Sequence, residues 1–324
     1  MFFLKPLSYI FLFFVKFRIF LYKSGILKTH EIKGSKIVSI GNISLGGTGK
    51  TPVTVAIAEN LIKKGFSVSI LLRGYKRKSS DETVIVHNGE KMLSSPEISG
   101  DEAYLTAKKL NCPVVVSGDR VKGAKLLKEK FMPDFILLDD GFQHLKLKRD
   151  KDIVLLTEKS LNEKIYVLPA KKFREPLSHL KRADLIIITK IINKKSAYKK
   201  AVHLKQTFGK SVYIAEMLLE SYTNIKTEEK LSPTSLFGKK CVIFCAIAQP
   251  IYFEQLLTAN GVNVIKKFYY PDHYYYKKKD YKKIDKLKEH ILITTEKDGI
   301  KLNVKEIEAE TLLTANIKYS FYKT

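Results

Sequence analysis

Lys50 and Thr51 follow a cluster of glycines, Gly46, Gly47 and Gly49, which in turn follows the β-branched stretch 36–40. A strand that enters a glycine-rich turn and leaves it as a helix aims successive backbone N–H groups, and the positive end of the helix, at one point in space. The chemistry that uses such a point is the binding of phosphate oxygens. In that setting Ser44, Leu45, Gly46, Gly47, Thr48, Gly49, Lys50 and Thr51 form the cradle of a P-loop. The Lys50 ammonium would reach the β/γ-phosphates of a nucleotide, and the Thr51 hydroxyl would help hold Mg²⁺. The common pattern has glycine six residues before the lysine; here that place is Ser44.

A phosphate cradle of this kind needs a carboxylate for the cation at the end of a neighbouring strand. Phe135-Ile136-Leu137-Leu138-Asp139-Asp140 offers two, followed by Gly141-Phe142-Gln143-His144. Acidic residues at the carboxyl end of a parallel strand project into the crevice where such sheets bind ligands.

The elements that must carry these residues alternate. Short apolar runs at 36–40, 67–72, 114–117, 135–138, 153–156 and 185–189 read as strands, with helical patterns at 50–64, 101–110, 119–130 and 196–208. That alternation argues for an α/β fold with mainly parallel sheets covered by helices. A second set begins near Cys241, with strands at 242–246, 262–268 and 291–295 and helices at 251–260 and 279–289. The expected architecture is P-loop NTPase-like, with two αβ lobes and a cleft between them. Its divisions are an N-terminal helix (1–30), a nucleotide-binding catalytic domain (31–210), an inter-lobe connection (211–238) and a smaller αβ domain (239–324).

The chain has 324 residues, and its 58 Lys+Arg against 33 Asp+Glu give a formal net charge of +25. This balance calls for an anionic partner. Nucleic acid is the rival that charge alone suggests, and the run 266–290, which mixes lysines with seven Tyr and Phe, could form a stacking platform. No RNA- or DNA-binding signature accompanies it. Only seven of the basic residues are arginines, and six of these (Arg73, Arg77, Arg120, Arg149, Arg174 and Arg182) lie between positions 73 and 182. In a chain that uses lysine wherever any cation serves, the arginines mark places where planar, bidentate geometry matters. Three cysteines, Cys112, Cys241 and Cys245, make no disulfide framework and no zinc-site spacing.

Residues 1–23, MFFLKPLSYIFLFFVKFRIFLYK, are too interrupted by Lys16 and Arg18 to span a bilayer. On a helix Lys5, Lys16 and Lys23 share one face while Phe, Leu and Ile cover most of the rest. The expectation is a helix lying in a membrane interface with its cations toward anionic headgroups.

With the phosphate loop in place, further stretches resemble one family, the tetraacyldisaccharide 4'-kinases of lipid A biosynthesis. The resemblance covers nearly the whole chain. It rests on Gly41–Pro52, Arg73-Gly74-Tyr75-x-Arg77, Gly100-Asp101-Glu102, Asp119-Arg120, Asp139–His144, Arg174-Glu175-Pro176, Pro271-Asp272-His273 and Thr295-Glu296-Lys297-Asp298. The chain departs from the family pattern at Ala246–Pro250 and at Lys171-Lys172-Phe173, where glycine is usual.

The resemblance implies an inner-membrane kinase. It would transfer the γ-phosphoryl group of ATP, with Mg²⁺, to the 4'-hydroxyl of an acylated glucosamine disaccharide 1-phosphate, giving the 1,4'-bisphosphorylated lipid A precursor. It would work at the cytoplasmic face of the bacterial inner membrane, attached peripherally or monotopically through the N-terminal helix, without nucleic acid and without an obligate protein partner. An aspartate at a helix start is ordinarily a cap, but the resemblance makes Asp101 the base for the sugar hydroxyl. It pairs Asp101 with His273 across the cleft, so that turnover would need lobe closure. Arg120 and Arg174 are expected to clamp phosphate oxygens, and Glu175 to join Asp139 and Asp140 at the metal; Arg73 and Arg77 would face the nucleotide or substrate phosphate. The competing class is a membrane-associated ATPase switch of the deviant P-loop type. Such loops carry an additional lysine where this chain has Leu45.

Overall fold

The computed structural model describes residues 4–74, 82–163 and 166–324; Arg77 lies outside them. The chain forms two compact units, one of residues 1–216 with 321–324 and one of residues 217–320.

The first unit begins with helix α1 (Lys5–Lys23) and continues β1 (Lys36–Asn42), α2 (Lys50–Lys63), β2 (Val68–Leu72), β3 (Thr83–Asn88), α3 (Pro96–Ser99) and α4 (Asp101–Lys109). Next come β4 (Pro113–Ser117), α5 (Arg120–Phe131), β5 (Phe135–Asp139), β6 (Lys151–Thr157), β7 (Leu185–Thr189), α6 (Lys194–Phe208) and β8 (Ser211–Asn224). The sheet order is β8-β7-β6-β1-β5-β2-β4-β3. Every pairing within it is parallel except that of the edge strand β3, which runs antiparallel to β4. Strand β1 is central, and all its residues but Lys36 are buried. That is the burial a parallel strand covered on both faces requires, and it explains runs such as Phe135–Asp139 that are apolar without alternation. One side of the sheet packs Ile37, Leu71, Val115, Leu127 and Ile136 together. Another cluster gathers Ile43, Phe142, Leu156, Ile186 and Leu204.

The sequence pattern did not mark β3. Its short apolar stretch, Val84, Ile85 and Val86, is flanked by Thr83, His87 and Asn88, and its edge position asks for only partial burial, Val86 and His87 being the buried residues.

Helix α1 lies with Ser8 buried, its hydroxyl donating to the Val167 carbonyl (2.8 Å) and accepting from the Ala170 N–H (3.1 Å). Phe11 and Leu12 pack on the core beneath. The opposite face, Ile10, Phe13, Phe14 and Phe17, follows i, i+3, i+4, i+7 spacing and is exposed, Phe13 by 62% and Phe14 by 60%. The lysines divide differently from the expected shared face. Lys16 and Lys23 are exposed, whereas Lys5 is half-buried and sits 5.3 Å from the centre of the Tyr166 ring. Among the described residues, no helix is long and apolar enough to cross a membrane.

The second unit contains β9 (Lys230–Leu231), β10 (Lys240–Cys245), α7 (Pro250–Ala259), β11 (Asn263–Tyr269), α8 (Lys278–Asp285), β12 (Ile291–Thr295), α9 (Glu296–Gly299) and β13 (Leu312–Lys323). Strands β8 and β13 carry the chain across the division. In this unit β10 lies between β11 and β12, and β12 pairs β13, all parallel. Four tyrosines of the 266–290 run, Tyr270, Tyr274, Tyr276 and Tyr281, pack against one another. Tyr270 and Tyr274 stack, and Tyr276 meets Phe244, Tyr270 and Tyr274 edge-on. Tyr276 and Tyr281 are buried, whereas Tyr269 and Tyr275 are exposed, so most of these rings build a core and two remain at the surface.

Candidate active site

The turn between β1 and α2 is shaped by backbone conformations that favour glycine. Gly49, immediately before α2, has φ +82°, and Gly46 has φ +105°; a side chain at either would be strained. The turn is braced from three sides. The Asn42 amide donates to the Thr48 hydroxyl (2.9 Å), Thr189 donates to the Thr48 carbonyl (2.8 Å), and the Leu45 N–H donates to the Lys172 carbonyl (2.6 Å). Ser44 forms a bridge with Phe173. Thus the segment 171–173, where Lys171-Lys172-Phe173 stands in place of the expected glycine, is the wall of the phosphate loop.

At the end of β5, next to the start of α2, the Thr51 hydroxyl donates to Asp139 Oδ2 (2.9 Å). Asp139 Oδ1 is buried and makes no hydrogen bond. Burial pushes the Asp139 carboxyl up to about 7, the nearby Glu102 and Asp140 carboxylates adding to the shift and Lys50 opposing it. A buried carboxylate oxygen with no donor, beside a hydroxyl and a second carboxylate, is the oxygen-only donor set that a hard divalent cation satisfies. Asp140 behaves differently. Burial would raise its carboxyl, but Lys50 (3.5 Å) and Arg174 (3.0 Å) hold it below the ordinary range.

Arg174 and Glu175 follow directly on the phosphate-loop wall, and both N–H groups donate to the Ile43 carbonyl, at 2.7 and 3.3 Å. Glu175 is buried. Its Oε1 accepts from the Gln143 amide (3.0 Å), and its Oε2 is shared by His179 (2.7 Å) and Arg182. Arg182 also lies over the buried Phe142 ring, 4.2 Å from its centre. Among the described residues no three His, Cys, Asp or Glu side chains converge as a metal site. Thr51, Asp139 and Asp140 are together, whereas Glu175 is tied to cations. Pattern reading missed Gln143 as the hub between them. Its amide donates to the Asn42 carbonyl and to Glu175, and its carbonyl accepts from Arg174 (3.2 Å).

Arg120 opens α5 and is buried, donating to the Gly118 carbonyl (3.2 Å). Burial, with Arg73 nearby, lowers its guanidinium to about 10, while Asp140, Asp139 and Asp119 favour the charge. A cation held there in spite of desolvation is one that the surrounding carboxylates demand. Asp101 is the first residue of α4, buried, with Oδ1 accepting from the Glu102 N–H (3.0 Å). His144 is lowered to about 4 by burial and by Arg120.

In the second unit His273 has φ +63°, uncommon for a residue with a side chain. Its N–H donates to the Ala246 carbonyl (3.3 Å), and its Nε2 lies 3.3 Å from Lys297 Nζ.

A parallel sheet, a glycine turn opening a helix, and a hydroxyl–carboxylate pair beside it define a P-loop α/β protein of the nucleotide-dependent class. The whole chain, residues 1–324, matches the family model described as tetraacyldisaccharide-1-P 4'-kinase. The chain belongs to that family. A tetraacyldisaccharide 4'-kinase of Aquifex aeolicus is 36% identical over 92% of this chain and 89% of its own length. One from Halothermothrix orenii is 32% identical over 95% of this chain and 84% of its own. A crystal structure of Aquifex aeolicus LpxK, described as an "apo" form in complex with ATP, superposes with a TM-score of 0.78 at 33% identity. It covers 98% of this chain and 94% of that one.

Proposed function

We propose that this chain transfers the γ-phosphoryl group of ATP to the 4'-hydroxyl of tetraacyldisaccharide 1-phosphate. The observation that carries this is the Thr51–Asp139 pair beside Lys50, at the mouth of a glycine turn, in a member of this kinase family. Phosphoryl transfer asks mostly for positioning and charge neutralisation. The backbone of residues 44–51 and the Lys50 ammonium hold the β- and γ-phosphates. Arg120 and Arg174 neutralise charge that builds on the transferring oxygens. Asp101 takes the proton from the 4'-hydroxyl as that oxygen bonds to phosphorus and the bond to the ADP oxygen breaks. His273 serves as a second acid–base group. Thr51, Asp139 and Asp140 would hold Mg²⁺, which would supply positive charge to offset that of the phosphates. Glu175 acts on Arg174 through Gln143, as the anchor of that cationic cluster. The exposed aromatic face of α1, bordered by Lys16, Arg18 and Lys23, supports attachment to an anionic membrane surface, the cytoplasmic face of the inner membrane.

The test is transfer of label from γ-labelled ATP to detergent-solubilised tetraacyldisaccharide 1-phosphate. Asp101→Ala is expected to lose about two to four orders of magnitude in kcat with ATP affinity retained. Normal turnover in that variant would remove Asp101 as the base, and no transfer by the wild type would remove the proposed reaction.

A further inference from the structure

The segment Thr295-Glu296-Lys297-Asp298 contains no residue yet given a task, and it holds the His273 loop at two separate points. The first is main chain. Asp298 is fully buried, accepts from the Thr295 hydroxyl (2.7 Å), pairs with the buried Lys301 ammonium (2.9 Å), and accepts from the Ala246 N–H (3.0 Å). The carbonyl of the same Ala246 receives the N–H of His273. The second point is side chain. The Lys297 ammonium donates to Asp272 Oδ1 (3.2 Å) and lies 3.3 Å from His273 Nε2. Asp272 itself is 3.8 Å from that nitrogen, beyond a hydrogen bond.

A lysine ammonium has three donors and no acceptor, so the ring nitrogen facing it must offer a lone pair. In a neutral imidazole the proton then resides on the other nitrogen. We infer that Lys297 is a positioning residue that fixes His273 as the tautomer protonated on Nδ1, making Nδ1–H the group His273 offers to a carboxylate. Asp272 holds the lysine in place, and the left-handed backbone at His273 is kept by the Asp298–Ala246 tie. The catalytic consequence rests on the acid–base role of His273 proposed above; the tautomer itself does not.

The experiment is ring ¹⁵N spectroscopy of the full chain labelled at histidine, recorded above pH 8 where a free imidazole is neutral. The His273 signals, among seven histidines, are identified by their loss in His273→Gln. Wild type should show Nδ1 as the N–H nitrogen and Nε2 as the acceptor. Lys297→Met should move the proton to Nε2 and lower kcat about tenfold or more, with KM for ATP unchanged. Lys297→Arg, which keeps the donor, should retain the wild-type tautomer and most of the activity. An Nε2–H ring in the wild type, or an unchanged ring in Lys297→Met, overturns the inference. A switched tautomer with unchanged kcat upholds it and instead removes His273 from the reaction.

Discussion

The phosphate loop and the His273 loop solve the same problem, holding a few polar atoms still, by opposite means. Around residues 44–51 the work is done by main chain. Two glycines in left-handed conformations, a helix start and hydrogen bonds to the Leu45 N–H and the Thr48 carbonyl set the loop's main chain, and Lys50 and Thr51 add the side chains that would face a phosphate. Around His273 it is done by side chains. A fully buried Asp298–Lys301 pair, Asp272 and Lys297 hold a histidine whose backbone is itself strained. Main-chain sites are written in local sequence as a glycine pattern. Side-chain sites are written as residues some 25 positions apart that only the fold brings together.

Several substitutions would break or sharpen this contrast. Lys50→Ala should have the largest effect, a loss of about three orders of magnitude in kcat, because it removes the fixed charge that the loop itself aims at the developing phosphate. An active variant would place the phosphate elsewhere. Glu175→Gln should cost about 3 kcal/mol of stability, since His179 and Arg182 would be left without their buried counter-charge. Urea unfolding reads this directly, and a variant as stable as wild type would show the pair to be dispensable.

A smaller effect concerns pH. Because the Asp139 carboxyl titrates near 7 when folded and near 3.8 when unfolded, the native state holds the extra proton between those values. Stability from this group therefore falls as pH rises from about 4 to 7. In Asp139→Asn that slope should vanish. In wild type, stabilisation by Mg²⁺ with nucleotide should grow from pH 6 to pH 8, as the cation ceases to compete with the proton; equal thermal shifts at the two values would contradict the assignment. The smallest change in solution activity is expected for Phe13→Glu with Phe17→Glu on the exposed face of α1. These should leave detergent-phase turnover near normal and shift the protein from vesicle pellets to supernatant; unchanged sedimentation would remove the interfacial role.

The legibility of the molecule follows the same division. The parallel strands, the cradle from Ser44 to Thr51 and the Asp139–Asp140 pair could be read from local pattern, because each is a contiguous statement about backbone. Asp101 and His273 stood out only through resemblance, since a lone aspartate at a helix start or a histidine among tyrosines has a plainer meaning. Gln143 and Lys297 were visible as letters in motifs, yet their partners, Glu175 and Arg174 in one case and His273 in the other, lie about 24 to 32 positions away. Lys5 shows the limit of a helical wheel, which groups it with Lys16 and Lys23 without knowing that Tyr166 packs beneath it.

The hydroxyl of Ser8 grips both the Val167 carbonyl and the Ala170 N–H, and Arg18 of the same helix donates to the Gln143 carbonyl (2.7 Å). Helix α1 is thus bolted to the stretch that leads into the phosphate-loop wall and to the hub residue behind Arg174. Such a helix works as a keel more than as a tether. In the attachment proposed above, with that aromatic face at the acyl boundary, the phosphate loop would ride at a set altitude above the bilayer. A sugar headgroup would then have to rise by a fixed height, with no slack line to follow.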